Sequence, residues 1–285
     1  MRTVTFASDA RSLAALGQGT WKMGINPEHA SQEIAILQEG LTHGLQVIDT
    51  AAMYADGGAE QIVGQAIRGQ RERAFVVSKV WPTHADRDGV RYSLEASLKR
   101  LGTPYLDLFL LHWPSARVPL KETMQAMANA FHEGQVKAVG VSNFSVALME
   151  QAQDALRDVP LIANQVEYSL FAREAETRVI PYCQAHNIVV MAYSPVKNLQ
   201  EIGTDHPGYQ LLHELATQYH TSPYTVALAW AIRSPHVIAI PKTANPEHLH
   251  SNEKALTLEL STADLDRLDA VFPASGEDIA VQYIS

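Results

Sequence analysis

Four residues of unlike charge stand at or just past the ends of short apolar runs. Asp49 closes LQVIDT, Tyr54 follows in the next loop, Lys79 stands near the end of AFVVSKV, and His112 terminates LDLFLLH. Charged groups in such places are costly to desolvate unless they pair with one another. The chemistry they suit follows from their charges. A phenol with a reference pKa of about 10 is a poor acid at neutral pH unless a nearby cation favours its phenolate. The Lys79 ammonium can supply that field, Asp49 can hold the ammonium charged and aimed, and His112 can hydrogen-bond and orient a carbonyl. Tyr54 would then protonate an oxygen as negative charge develops on it. Taken singly, Lys79 or Asp49 reads as a structural ion pair, His112 as a satisfied core histidine and Tyr54 as a loop residue. Convergence on one face is what raises chemistry above those readings. No metal is expected: among the twelve histidines, His248 and His250 are two apart, which puts them on different faces of a helix.

The elements that must position these residues form a repeating pattern. Apolar, β-branched runs end at Gly19 (LAALGQG), Thr50, Val80, His112, Asn143 (VKAVGVSN), Tyr168 (LIANQVEY), near Ser194 (IVVMAYSP) and at Thr243 (VIAIPKT). Segments with helical periodicity lie between them, several closing with Gly or Asn, and the last of these is the long YQLLHELATQYHTSPYTVALAWAIRS. Pro181 predicts a kink or a late helix start in REAETRVIPYCQAHN. Eight such units without a linker predict an α/β chain folded as a (β/α)8 TIM barrel, one domain over residues 1–285, with its site at the C-terminal ends of the strands. TVTF and SLAALG at the start suggest an N-terminal β-hairpin closing the barrel floor. A doubly wound sheet is the alternative, but GQGTWKMG lacks the third glycine of a dinucleotide fingerprint.

Composition narrows the classes. A formal net charge of −9 argues against general attraction to nucleic acid or an anionic membrane. The single cysteine, Cys183, excludes an intrachain disulfide and reads as a partly buried thiol. Polar residues, Asp9 among them, interrupt any signal-like stretch at the N-terminus, so a soluble cytoplasmic protein is expected and the sequon at Asn143 is read as accidental; a monomer is the separate expectation for its assembly.

At these same residues the chain resembles the aldo-keto reductase family over nearly its whole length. VIDTAAMYADGGAEQIVGQAI is similar to the family's aspartate and tyrosine segment, VSKVW to its lysine segment and DLFLLHWP to its histidine segment. The resemblance implies a catalytic tetrad of Asp49, Tyr54, Lys79 and His112, with hydride delivered from NADPH and a proton from Tyr54. It also implies cofactor contacts from Gly19, Thr20 and Trp21 in GQGTW, from Asp49, and from Ser142 and Asn143 in GVSNF. Gln165 in NQVEY joins these, with Tyr193 stacked on the nicotinamide and Ser194, Pro195 and Val196 along the pyrophosphate.

IPKTANPEHLHSN is similar to the adenosine-phosphate segment, which implies Lys242 and Thr243 at a 2′-phosphate, with His248 close by and Asn252 near the adenine. The sequence departs from the family there. His248 stands where an arginine is common and Ser251 replaces a carboxamide or carboxylate. Arginine offers a permanent planar charge and histidine only a partial one, so NADPH is expected with NADH possible.

Three of the four tryptophans, Trp21, Trp81 and Trp113, fall just beyond strand ends, whereas Trp230 reads as helix packing. With Tyr54 and His112 they predict an apolar-walled substrate pocket. The stretch after AYSPVK is short for a capping loop, so the pocket is expected to be open. TWKMG, MYADGGAE and IPKTANPEH are most similar to bacterial members of the methylglyoxal reductase kind, which implies a small-molecule carbonyl substrate: small aldehydes and 2-oxoaldehydes. Two other classes remain, a Schiff-base lyase using Lys79 and a cofactor-binding regulatory subunit with little turnover.

Overall fold

The structure, a computed structural model, describes residues 1–6 and 11–285. Strands β1 (Thr3–Thr5) and β2 (Ser12–Ala14) form an antiparallel hairpin, with Val4 opposite Leu13. Residues 7–10 between them, Asp9 included, lie outside the described residues. Eight strands then follow in parallel and in chain order. They are β3 (Gln18–Gly19), β4 (Val47–Asp49), β5 (Phe75–Val80), β6 (Leu108–Leu111), β7 (Val139–Ser142), β8 (Leu161–Glu167), β9 (Val189–Tyr193) and β10 (Val237–Ala239). The last strand returns to the first. Leu16 bridges Ala239 in parallel, Gly17 N donates to Ala239 O at 2.8 Å, and Ala239 N donates to Ala15 O at 3.1 Å.

These strands are buried along almost their whole length, as expected of a parallel sheet covered by helices on its outer face. The helices are α1 (Ala30–Thr42), α2 (Gly58–Ala66), α3 (Arg87–Leu101), α4 (Leu120–His132), α5 (Val146–Leu156), α6 (Val179–Ala185), α7 (Pro207–Gln218), α8 (Pro223–Ala231), α9 (Pro246–Glu253) and α10 (Thr262–Val271). Local sequence sets their ends. Asp86, Ser145 and Ser222 each accept from the backbone N–H three residues on, and Gly102 ends α3 at a φ of 63°.

The overlap of hairpin and barrel strand resolves within SLAALGQG: Ser12–Ala14 pairs in the expected hairpin as β2, and Gln18–Gly19 pairs with β4. The long segment before β10 forms two helices. His220 takes a φ of 50° and Ser222 caps a new helix with Pro223 in its first turn, where proline is tolerated. At Pro181 the outcome is the late start, since α6 begins at Val179.

Candidate active site

Strand alternation places the charged residues. In β5, Ser78 and Lys79 point to opposite faces. Ser78 faces the helices and donates to Glu60 Oε1 at 2.6 Å, and Arg100 of α3 donates to the other oxygen of this buried carboxylate at 2.6 Å. Lys79 therefore faces inward. Its ammonium donates to Asp49 Oδ2 at 2.8 Å, to Thr50 O at 2.9 Å and to the Tyr54 hydroxyl at 3.2 Å. The loop after β4 brings Tyr54 to this spot, and the chain then leaves it through left-handed Ala55, Asp56 and Gly57, with φ of 50°, 51° and 87°. Gly57 is required: a side chain there would meet the Arg100 side chain as well as adopting an unfavourable φ. Asp49 Oδ1 accepts from Gln165 Nε2 at 2.7 Å, so strands β4, β5 and β8 are tied across the mouth.

Burial and charge act on these groups in opposite senses. Lys79 is 0% exposed, and burial lowers its proton affinity, yet Asp49 and Tyr54 outweigh that and hold the ammonium above its ordinary pKa. Burial pushes the Tyr54 phenol above its ordinary value; Lys79 pulls it back and Asp49 adds to the rise. The sequence reading had Lys79 favouring the phenolate. Its pull is present, but desolvation wins and the phenol keeps its proton. Burial, and then the Lys79 charge, hold His112 well below its ordinary value, so its imidazole is neutral. His112 Nδ1 has no hydrogen-bond partner among the described residues. A proton on Nε2 leaves only a lone pair at that buried nitrogen.

Tyr54 and His112 line a cavity of about 380 Å³ at the C-terminal ends of the strands. Their rings lie 5.8 Å apart, Trp21 packs edge-on to Tyr54 at 4.9 Å, and Trp81 packs edge-on to His112 at 5.1 Å. Trp113 lines the same space, and Trp21 is 50% exposed at its rim. Trp230 lies elsewhere, fully buried with its indole N–H on Asp269, as helix packing predicts.

Of the residues expected to hold a cofactor, Gly19, Thr20, Asp49, Ser142, Asn143, Gln165, Tyr193, Ser194, Pro195, Val196 and Lys242 all line this cavity. Asn143, at a φ of 64°, accepts from the Tyr193 hydroxyl at 3.0 Å and donates to His112 O at 3.2 Å and Ser142 Oγ at 3.0 Å. Lys242 is exposed and has no acidic partner among the described residues. Thr243 and Asn252 line a separate small cleft beside Gln18, and His248 is exposed on the first turn of α9. Ser251 faces inward, with its hydroxyl within 3.0 Å of the Ser222 and Thr225 hydroxyls. Met53, Ile240 and Pro241 also line the cavity and were not foreseen. Their places just past strand ends were the available signal.

A flat phenol ring, clustered amides and a hydroxyl, and an unpaired cation at the rim suit a nicotinamide dinucleotide. A parallel barrel with a buried ammonium, carboxylate, phenol and imidazole at its C-terminal mouth defines a class of barrel enzyme that handles protons beside a ligand cleft. The family is narrower, and the chain belongs to it: the Aldo/keto reductase family sequence model matches residues 15–272. Methylglyoxal reductase YeaE of Escherichia coli (strain K12) is 41% identical over 283 residues, 99% of each chain. A glyoxal reductase of Bacillus subtilis is 31% identical, over 90% of this chain and 87% of its own. An aldo/keto reductase from Klebsiella pneumoniae, solved in complex with NADP and acetate, superposes with a TM-score of 0.88 at 40% identity over 99% of both chains. No helix among the described residues is long and apolar enough to cross a membrane.

Proposed function

We propose that this chain reduces small aldehydes and 2-oxoaldehydes such as methylglyoxal to alcohols with NADPH, with NADH as a weaker alternative. One observation carries the reading. The Tyr54 oxygen accepts a hydrogen bond from Lys79, which leaves its own proton directed to a cavity that His112 shares. His112, neutral, donates from Nε2 to the carbonyl oxygen and fixes its orientation. When bound, reduced nicotinamide supplies a hydride to the carbonyl carbon. Tyr54 transfers its hydroxyl proton to the oxygen as negative charge grows there, and Lys79 stabilises the phenolate left behind. Asp49, steadied by Gln165, keeps Lys79 charged.

Ser142, Asn143 and Gln165 would receive the carboxamide, the Tyr193 ring one face of the nicotinamide, Gly19, Thr20 and Trp21 the first-strand side, and Ser194, Pro195 and Val196 the pyrophosphate. Lys242 is the favoured phosphate partner. Thr243, His248 and Asn252 stand at the adenosine end, outside the main cavity, and a histidine in place of a permanently charged arginine is what keeps NADH in play. Trp21, Trp81 and Trp113 give the substrate apolar walls. The net charge of −9 and the single, buried cysteine accord with a cytoplasmic protein that does not bind nucleic acid.

The lyase alternative is disfavoured, because a Schiff-base lysine needs a depressed pKa and Lys79 is held above its ordinary value. The test is NADPH oxidation by the purified protein with methylglyoxal and with an aromatic aldehyde. Turnover with either is the expected result. No turnover with both, or a borohydride-trapped adduct on Lys79 without nicotinamide, would overturn the proposal.

A further inference from the structure

Away from the cavity, the C-terminal end of α1 meets the C-terminal end of α9 on the outer surface, and four side chains converge there. Glu39 and His43 are one helical turn apart at the end of α1, and His250 and Glu253 are one turn apart on α9. Ligand atoms of Glu39, His43 and His250 all lie within 4.8 Å of one another. His43 Nδ1 donates to Glu253 Oε1 at 2.8 Å, and His250 Nε2 donates to Glu39 Oε1 at 2.7 Å. The two imidazoles stack with centroids 5.3 Å apart and planes inclined by 22°.

We propose that this cluster binds one zinc ion through Glu39, His43 and His250. Two imidazole nitrogens and a carboxylate oxygen are the ligand types zinc takes, whereas magnesium and calcium prefer oxygen alone. Tetrahedral zinc places its ligand atoms about 3.3 Å apart, so the side chains close by roughly 1 Å or somewhat more. They are free to do so: side-chain exposures here run from 22% to 50%. Glu253 is the orienting partner. By accepting a hydrogen bond from His43 Nδ1–H it keeps that proton on Nδ1 and the lone pair on Nε2, the carboxylate–histidine–metal arrangement that fixes a ring for coordination.

Two surface histidine–carboxylate pairs alone contribute little to stability, whereas one divalent cation balances both carboxylates and needs neither ring protonated. The ion would clasp α9 to α1. At the far end of α9 the chain already has its own tie, Gln32 Nε2 to Ala244 O at 2.8 Å.

Sequence spacing could not reveal this site, because His43 and Glu253 are 210 residues apart. The test is calorimetric titration of chelator-treated full-length protein with zinc chloride. One equivalent should bind saturably, with affinity at least about tenfold weaker in His43→Ala and in His250→Ala, and weakened about tenfold in Glu253→Gln. His132→Ala, which removes a lone exposed histidine–carboxylate pair with Asp158, should retain the site. Zinc should raise the thermal midpoint of the wild type and leave that of the His43→Ala/His250→Ala double variant unmoved. Undiminished zinc affinity in both alanine variants, or no saturable binding below about 1 mM, overturns the assignment.

Discussion

Two buried tyrosines in this barrel keep similar company, and only one of them faces a cavity. Tyr168 follows the end of β8 and packs against Trp230, with its hydroxyl donating to Glu176 Oε1 and accepting from Arg233 Nη1 at 2.8 Å. Tyr54 accepts from Lys79 at 3.2 Å, but its carboxylate, Asp49, sits behind the lysine. Burial raises both phenols, and in both a cation pulls back while a carboxylate adds to the rise. The difference is the proton. That of Tyr168 is locked onto Glu176 in a packed network with Arg173 and Trp230, whereas that of Tyr54 has no carboxylate to accept it and faces the cavity. A tyrosine, a cation and a carboxylate thus make a structural brace or a proton donor according to where the carboxylate stands and whether a cavity adjoins.

The comparison breaks most sharply on removal of each hydroxyl. Tyr54→Phe should lower the reduction rate at least about 10²-fold with little change in stability. Tyr168→Phe should leave the rate within about twofold and cost about 1–3 kcal/mol in denaturant unfolding, because two charged partners lose a bond. The carboxylates sharpen it next. Asp49→Asn strands a wholly buried ammonium, so a loss of about 3–5 kcal/mol and roughly tenfold or more in rate is expected. Glu176→Gln, whose side chain is 20% exposed, should cost about 1–3 kcal/mol and leave the rate alone. The smallest effect lies at the rim. Lys242→Met should weaken NADPH about tenfold, read by fluorescence titration, and leave NADH unchanged, since only one of the two carries the phosphate.

Legibility followed the backbone. Asp49, Lys79 and His112 could be read as neighbours because barrel strand ends share one face, and that regularity holds whatever packs behind them. Ser142, Asn143, Gln165 and Tyr193 were implied by the family resemblance alone, and they line the same mouth. Neither route gave a hint that Gln165 would reach Asp49, a contact set by side-chain direction across the mouth. At the adenosine end α9 turns Ser251 toward α8, and Thr243 and Asn252 line another cleft. Helix orientation of this kind comes from tertiary packing and is absent from a motif. SLAALGQG was legible as serving both the hairpin and the barrel, but no local propensity marks where one ends and the other begins. In the long segment before β10 the apolar periodicity ran through His220, although Ser222–Pro223 marked a fresh helix start.

The central claim, that Tyr54 supplies the proton, is tested most directly by single-turnover reduction followed across pH in the wild type and in Tyr54→Phe. With the phenol raised by burial and His112 held neutral, the wild-type rate should be flat from about pH 6 to about pH 9. Only beyond the ordinary tyrosine range should it fall, approaching tenfold per unit, as the proton is lost. Tyr54→Phe should be slower throughout and show no such break. A wild-type break near the ordinary histidine value, or an alkaline break that survives in Tyr54→Phe, would contradict the account.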